Sequence, residues 1–244
     1  MPFPYDTLDD DPGRPQTRLL ELHPGLPQDQ IHCTLRTVTL NEAPKYEGLS
    51  YCWGDAKITS LITYFWIDAV CINQTGTTER NHQVAMMRDI YSSASQTIVC
   101  LGPETDGSRQ ALGLVPDLLA VRAKFHGPGK GDFPTRVPSV GTLSFEEVVA
   151  IPELSRLVRN IQARTSFGQL FGRPWFSRVW VIQEVSVSFR TTVACGSVEL
   201  DFDDLAQAYM TFMSLGLHLY TDVNSVRSQD ILYSIWDTRR KKSY

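Results

Sequence analysis

Cysteine is scarce in this chain and poorly placed for cross-linking. The five residues, Cys33, Cys52, Cys71, Cys100 and Cys195, are odd in number, widely spread and without a C-x-x-C pair, which argues against a disulfide framework and for reduced, buried thiols. No apolar run approaches the roughly 18–20 residues that a membrane span requires. The opening MPFPYDTLDDDPGRP lacks the basic region and apolar core of a signal peptide. A basic excess is missing too: 23 Lys and Arg face 27 Asp and Glu, for a net charge of −4, so neither nucleic acid nor an anionic membrane is expected as a partner. These absences together point to the cytoplasm. What the 244 residues do have is apolar content, 42%, enough for a sizeable core in one compact domain or at most two.

Taken in order, residues 1–16 read as a flexible arm. TRLLELHPG (17–25) and QIHCTLRTVTL (30–40) alternate apolar with polar positions (Ile31, Cys33, Leu35 against His32, Thr34, Arg36) and predict an N-terminal β-hairpin parted by Pro24-Gly25. LSYCWGD (49–55), FWIDAVCI (65–72) and TIVCLG (97–102) predict three buried strands. A helix from about Glu79 to Ala94, with Val84, Met87, Tyr91 and Ala94 as its apolar stripe, joins the last two. Strand, helix and strand in succession predict an α/β fold, a parallel sheet flanked by helices. Its ligand crevice should lie beyond the strands' carboxyl ends, near Asp55, Asn73 and Gln74. Only AKITSLITY separates Asp55 from Phe65, which is short for a parallel crossover.

Downstream, 103–143 reads as a loop insertion with one helix at about 109–124. Its glycines Gly127, Gly129 and Gly131 are followed by no Lys-Ser/Thr pair, so a flexible surface excursion is preferred to a phosphate loop. Ser144 and Glu147 form a capping box. Pro152 starts a helix carrying Leu154, Leu157, Val158 and Ile161, a hairpin turns at Gly196-Ser197, and Asp203 or Asp204 caps a helix. The C-terminal part, 201–244, is helical and closes with a helix over about 228–240.

The most informative stretch is LFGRPWFSRVWVIQEVSV (170–187). Pro174 suits a first helical turn, and Phe176, Val179, Trp180 and Gln183 recur at helical spacing, with Glu184 one turn after Trp180. A carboxylate on so apolar a segment is either a buried structural acid, paired with Arg173 or Arg178, or a working one. Trp175 and Trp180 are core anchors or a stacking platform. Asp68, inside an apolar strand, is bonded to a neighbouring loop or acts chemically. Asn73 and Gln74 cap loop backbone or touch a ligand. Cys71 with His82 lacks an activating environment for a cysteine hydrolase, and Glu79 with His82 lacks further ligands for a metal. Arg80 should pair with an acid on its own helix.

LSYCWGD, then FWIDAVCINQ followed by ER, HQV, M and IY, then RPWFSRVWVIQEV and a later CG hairpin, together resemble the fungal heterokaryon incompatibility (HET) domain. The resemblance runs from about Tyr5 to Gly196 and through weaker helices to the end; it sets a domain at 17–200, with 201–244 as a helical part of the same domain, cut short relative to the family pattern. Family members carry an extra strand and helix after WGD that is missing here. The resemblance implies a role in non-self recognition, innate immunity and programmed cell death. It also implies a distant likeness to TIR domains, with a flavodoxin-like parallel sheet. Some TIR domains cleave NAD with a glutamate in a W-C-x-x-E setting, which Trp180 to Glu184 resembles. Carried over, Glu184 becomes the catalytic carboxylate, with Trp180, Trp175, Asp68, Asn73, Gln74, Asp55 and Arg173 as candidate ligand contacts. NAD would be substrate, and no cofactor or metal is required. The competing expectations are a self-associating signalling module that recruits other death factors, or an inactive truncated paralogue.

Overall fold

The computed structural model describes residues 5–9, 11–26, 29–51, 64–105, 107–126, 138–220 and 226–242. In chain order the elements are β1 (Gln16–Leu22), β2 (Cys33–Thr39), β3 (Glu47–Tyr51), β4 (Tyr64–Trp66), α1 (Asp68–Cys71), α2 (Thr77–Ser93) and β5 (Gln96–Cys100). Then come α3 (Ser108–Leu112), α4 (Val115–His126), α5 (Phe145–Ala150), α6 (Pro152–Arg159), α7 (Ile161–Leu170) and α8 (Val181–Ser186). The chain continues through β6 (Thr191–Cys195), β7 (Val198–Asp201), α9 (Phe202–Ser214) and α10 (Val226–Lys242). The strands form one sheet of order β2-β1-β4-β3-β5-β6-β7. The fold is α/β, as the strand–helix–strand pattern predicts. By compactness the chain divides into two units that interleave in sequence: Met1–Tyr51, Lys57–Cys100 and Trp180–Thr192 form the first, the remainder the second.

The first unit holds the parallel heart of the sheet. β3 runs parallel to β4 on one side and to β5 on the other, with Glu47 opposite Phe65 and Gln96. The expected hairpin is present: β1 pairs antiparallel with β2 from Gln16–Thr39 to Leu22–Cys33, and its other edge meets β4. The arm is tied to this unit, since Leu8 is buried and the Tyr5 hydroxyl donates to Val70 O at 3.2 Å. α2 buries Gln83, Met86, Met87, Ile90 and Tyr91. The apolar stripe is therefore wider than predicted, and Val84 sits at its half-exposed margin.

One strand expectation is overturned. FWIDAVCI is not a strand to Ile72, because β4 stops at Trp66 and Asp68–Cys71 closes into a helical turn. The turn is stabilised from both ends. Ile67 N–H points at Cys71 Sγ (3.3 Å), and Gln74 Nε2 donates to Asp68 O (2.9 Å) and Ile72 O (3.2 Å). The short crossover and the strand end at Asp55 lie outside the described residues, as do Gly127, Gly129 and Gly131.

The second unit is mainly helical. The capping box is formed: Glu147 N–H donates to Ser144 Oγ (3.2 Å) and Ser144 N–H to Glu147 Oε2 (2.7 Å). α6 begins at Pro152 and buries Leu154 and Leu157, but Ile161 starts the next helix and is 62% exposed. The helix expected at about 109–124 is broken into α3 and α4 around Gly113. For α9 the cap is Asp201, whose Oδ1 accepts from Asp203 N–H (2.7 Å) and Asp204 N–H (3.3 Å). Asp203 and Asp204 occupy the first turn instead, where acids favour the helix dipole.

The β6–β7 turn needs its glycine. Gly196 has φ +57°, and a Cβ there would lie 2.5 Å from Glu104 Cβ and 2.8 Å from Glu104 N. Gly196→Ala is expected to destabilise the protein by about 1–3 kcal/mol through backbone strain and overlap, measurable as a lowered urea midpoint with unchanged slope.

Candidate active site

The long helix predicted from Pro174 does not form. Pro174–Ser177 is a single 3-10 turn, Arg178 is extended, and helical structure resumes only at α8, after Trp180. Pro174 does occupy the first turn, and Trp175 and Phe176 fill the second unit's core. Trp175 is 1% exposed and meets the Phe176 ring edge-on at 5.0 Å and Phe202 at 6.2 Å. It is thus a core anchor of the second unit.

Arg173 is spent on the same unit. Its Nη1 donates to Leu101 O (2.6 Å) and Pro103 O (3.1 Å), and Nη2 donates to Thr105 Oγ1 and Ser108 Oγ (both 2.9 Å). One guanidinium thereby holds the loop that follows β5, a structural use of the five-donor fork.

Glu184 lies in the first unit, on α8, and is 1% exposed. Its N–H donates to Trp180 O at 3.2 Å, so the i, i+4 relation expected from the sequence holds along the backbone. The two side chains nevertheless differ sharply in setting, since Trp180 is 51% exposed. Against the carboxylate stands Ser50 Oγ of β3, which donates to Glu184 Oε2. Ser188 Oγ donates to Glu184 O (2.7 Å) and is itself hydrogen-bonded to Thr97 Oγ1 of β5.

The location matters as much as the contacts. From β3 the chain goes to β4 on one side, then crosses back to β5 on the other. Such a reversal creates a topological switch point at the carboxyl ends of β3 and β5, where open α/β sheets bind ligands. Ser50 is the penultimate residue of β3, in register with Val99 near the end of β5. Glu184 is therefore held at the carboxyl end of the strand where the order reverses.

The remaining candidates sit on one loop. Asn73 Oδ1 accepts from Thr75 N–H (3.1 Å) and Thr75 Oγ1 (2.7 Å), an Asx-type turn. Gln74 is exposed and closes the end of α1, while Asp68 Oδ1 accepts from Ala69 N–H at 2.7 Å. The structure brings Asp68 and Gln74 together and commits Asn73 to its own turn. Asp55 lies outside the described residues.

Sequence reasoning missed the ion pair beneath this loop. Arg18 of β1 is 1% exposed; its Nη1 reaches Glu79 Oε1 (2.6 Å) and Cys71 O (3.1 Å), and its Nη2 reaches Glu79 Oε2 (3.0 Å) and Asp6 O. The Tyr5 ring stacks 5.0 Å from the guanidinium carbon, and Asn73 N–H donates to Glu79 Oε1 at 2.8 Å. Burial acts to raise the Glu79 pKa, but the hydrogen bonds from Arg18 and Asn73 and the Arg18 charge outweigh it and hold the carboxyl below its usual range. Ser50 was missed too, although a hydroxyl inside LSYCW was a readable signal, because a polar group in a buried strand needs a partner. Burial pushes the Cys71 thiol up to about 12, which leaves it no nucleophilic role at neutral pH. Among the described residues no His, Cys, Asp and Glu cluster is arranged to hold a metal, and no helix is long and apolar enough to cross a membrane.

Comparison with known proteins adds an independent line. A family profile described as Heterokaryon incompatibility protein (HET) matches residues 57–184. Heterokaryon incompatibility protein 6, OR allele, of Neurospora crassa is 30% identical over 242 residues, which cover 80% of this chain and 35% of that protein. The chain thus spans about a third of the length of that curated relative. No solved structure matches.

Proposed function

Because this chain belongs to the heterokaryon incompatibility (HET) family, we propose that it is an incompatibility module that acts by TIR-like hydrolysis of NAD or a related nucleotide, with Glu184 as the catalytic carboxylate and cell death as the consequence. The observation that carries this reading is the placement of Glu184: a buried acid on a short helix, held at the carboxyl end of β3 beside the switch point. An ionisable side chain buried at such a strand end is a candidate for a functional role.

The chemistry needs little more than one carboxylate. The bond between ribose C1′ and the pyridinium nitrogen breaks, and its electron pair leaves with nicotinamide as a neutral molecule, so no general acid is required. Positive charge develops at C1′, where a carboxylate stabilises the oxocarbenium-like centre. Water then adds at C1′ and releases a proton, giving ADP-ribose. Trp180, half exposed and one turn before Glu184, is available to face the cationic ring.

The second reading is a self-associating module without turnover. It is favoured by exposed aromatics in the first unit, Trp180 and Phe189, the latter 89% exposed. Mass spectrometry of NAD incubated with the purified 244-residue chain separates the two. Wild-type protein should release nicotinamide, and Glu184→Gln should lower turnover about 10²–10³-fold with the same melting temperature and elution volume. Full turnover in Glu184→Gln would sink the assignment. No turnover in a wild type that oligomerises would favour the second reading.

A further inference from the structure

Two neighbouring strands of the first unit each spend a buried hydroxyl on α8 or on the residues just after it. On β3, Ser50 is 0% exposed and donates to the Glu184 carboxylate. On β5, Thr97 is also fully buried and meets Ser188 Oγ. A hydroxyl carries one proton. That of Ser188 goes to Glu184 O, so Thr97 donates to Ser188, and the chain of bonds runs from Thr97 through Ser188 to the Glu184 carbonyl. The two strands therefore grip this one residue by its main chain and by its side chain.

The grip on the main chain has an ordinary explanation, because a serine four residues after a helical carbonyl commonly bonds back to it. The grip on the carboxylate does not. An alanine at position 50 would spare β3 a buried polar group that must find a partner, next to the buried Leu49. A carboxylate has several accepting sites and a flexible stem, so a donor fixed in the sheet restricts its orientation. We propose that Ser50 is the positioning residue for Glu184, orienting its carboxylate toward the carboxyl-end crevice in the geometry that cleavage needs. This rests on the NAD-hydrolysis reading above, but the positioning itself can be read without turnover.

The test compares wild type with Ser50→Ala and Ser50→Thr in the full 244-residue chain. Thermal unfolding checks that each variant folds. In NAD hydrolysis, Ser50→Ala should lower kcat about ten- to hundredfold through a misplaced carboxylate, while KM changes less than about twofold because uniform binding is untouched. Ser50→Thr, which keeps the hydroxyl, should recover most of the loss. In parallel, the Glu184 carboxyl carbon is followed by NMR in protein labelled at glutamate and assigned by its disappearance in Glu184→Gln. Its titration midpoint should rise by about one pH unit in Ser50→Ala, because a hydrogen bond to the charged form is lost. A packing role for Ser50 moves neither readout. An unmoved midpoint, or equal falls in kcat for Ala and Thr, overturns the proposal. If the wild type fails to turn over NAD, the enzymatic reading falls, and a displaced midpoint still supports Ser50 as the residue that holds the acid.

Discussion

Arg18→Ala lowers the unfolding free energy by about 3–5 kcal/mol, the cost of breaking a buried ion pair from one side. The side chains of Arg18 and Glu79 are only 2% and 18% exposed, so water does little to replace the lost partner. The substitution strands more than one group. Glu79 loses both arms of a bidentate bond, Cys71 O and Asp6 O lose a donor, and the Tyr5 ring loses its cation. At about 2–4 °C per kcal/mol for a chain of this size, the melting temperature should fall on the order of 10 °C by circular dichroism. The same pair sets an acid limit. Glu79 titrates lower in the folded chain than in the unfolded one, so between those two values the unfolded state binds more protons and stability falls as pH falls. Its contribution is complete above the unfolded value of about 4.3 and disappears as pH drops through the folded one. Urea unfolding from pH 6 to pH 3 should show this slope in wild type and a flatter one in Arg18→Ala. Equal slopes would remove Glu79 as the cause.

Trp175→Ala should be as severe, about 3–5 kcal/mol, for a different reason. Its ring lies between Phe176 and Phe202 with almost no exposed surface, so truncation leaves a void that rigid aromatic neighbours cannot close. Trp175→Phe, which fills most of the volume, should recover the larger part of the loss in urea denaturation. A stacking role toward a nucleotide predicts the reverse pattern: near-normal folding in both variants and weakened nucleotide binding in both. The measurement therefore decides between the two uses of this tryptophan that the sequence leaves open.

Elements with their own local grammar were legible before any coordinates. The β1–β2 hairpin, the Ser144 capping box, the Pro152 helix start and the Gly196 turn all rest on residues within a few positions of one another, and all are formed. Elements decided at a distance were not. The turn at Asp68 looks like strand because its residues are apolar, and what closes it are Cys71 Sγ and the Gln74 side chain acting on backbone groups. The helix expected from Pro174 spans a boundary between the two units, and its even apolar spacing hides the break at Arg178. For α9 the sequence offers several acids, and only geometry selects Asp201 over Asp203 and Asp204.

At the site, Glu184 was legible as a misfit on an apolar segment. Ser50 could be read as a buried hydroxyl in need of a partner, but its pairing with Glu184, 134 residues away, could not. The Arg18–Glu79 pair, 61 residues apart, was hidden likewise, because Glu79 already had a sufficient local explanation at the start of α2. A residue with one adequate reason invites no search for a second.

The interleaving of the two units has a consequence for synthesis. Once residue 100 leaves the ribosome, β4, β3 and β5 are all available, but the stretch Trp180–Thr192 that completes their unit is still untranslated. At about 5–20 residues per second, the nascent sheet waits several seconds or more with Ser50 facing no acid. A ribosome that stalls or a message that ends within that interval releases a fragment that has these strands but lacks α8 and Glu184.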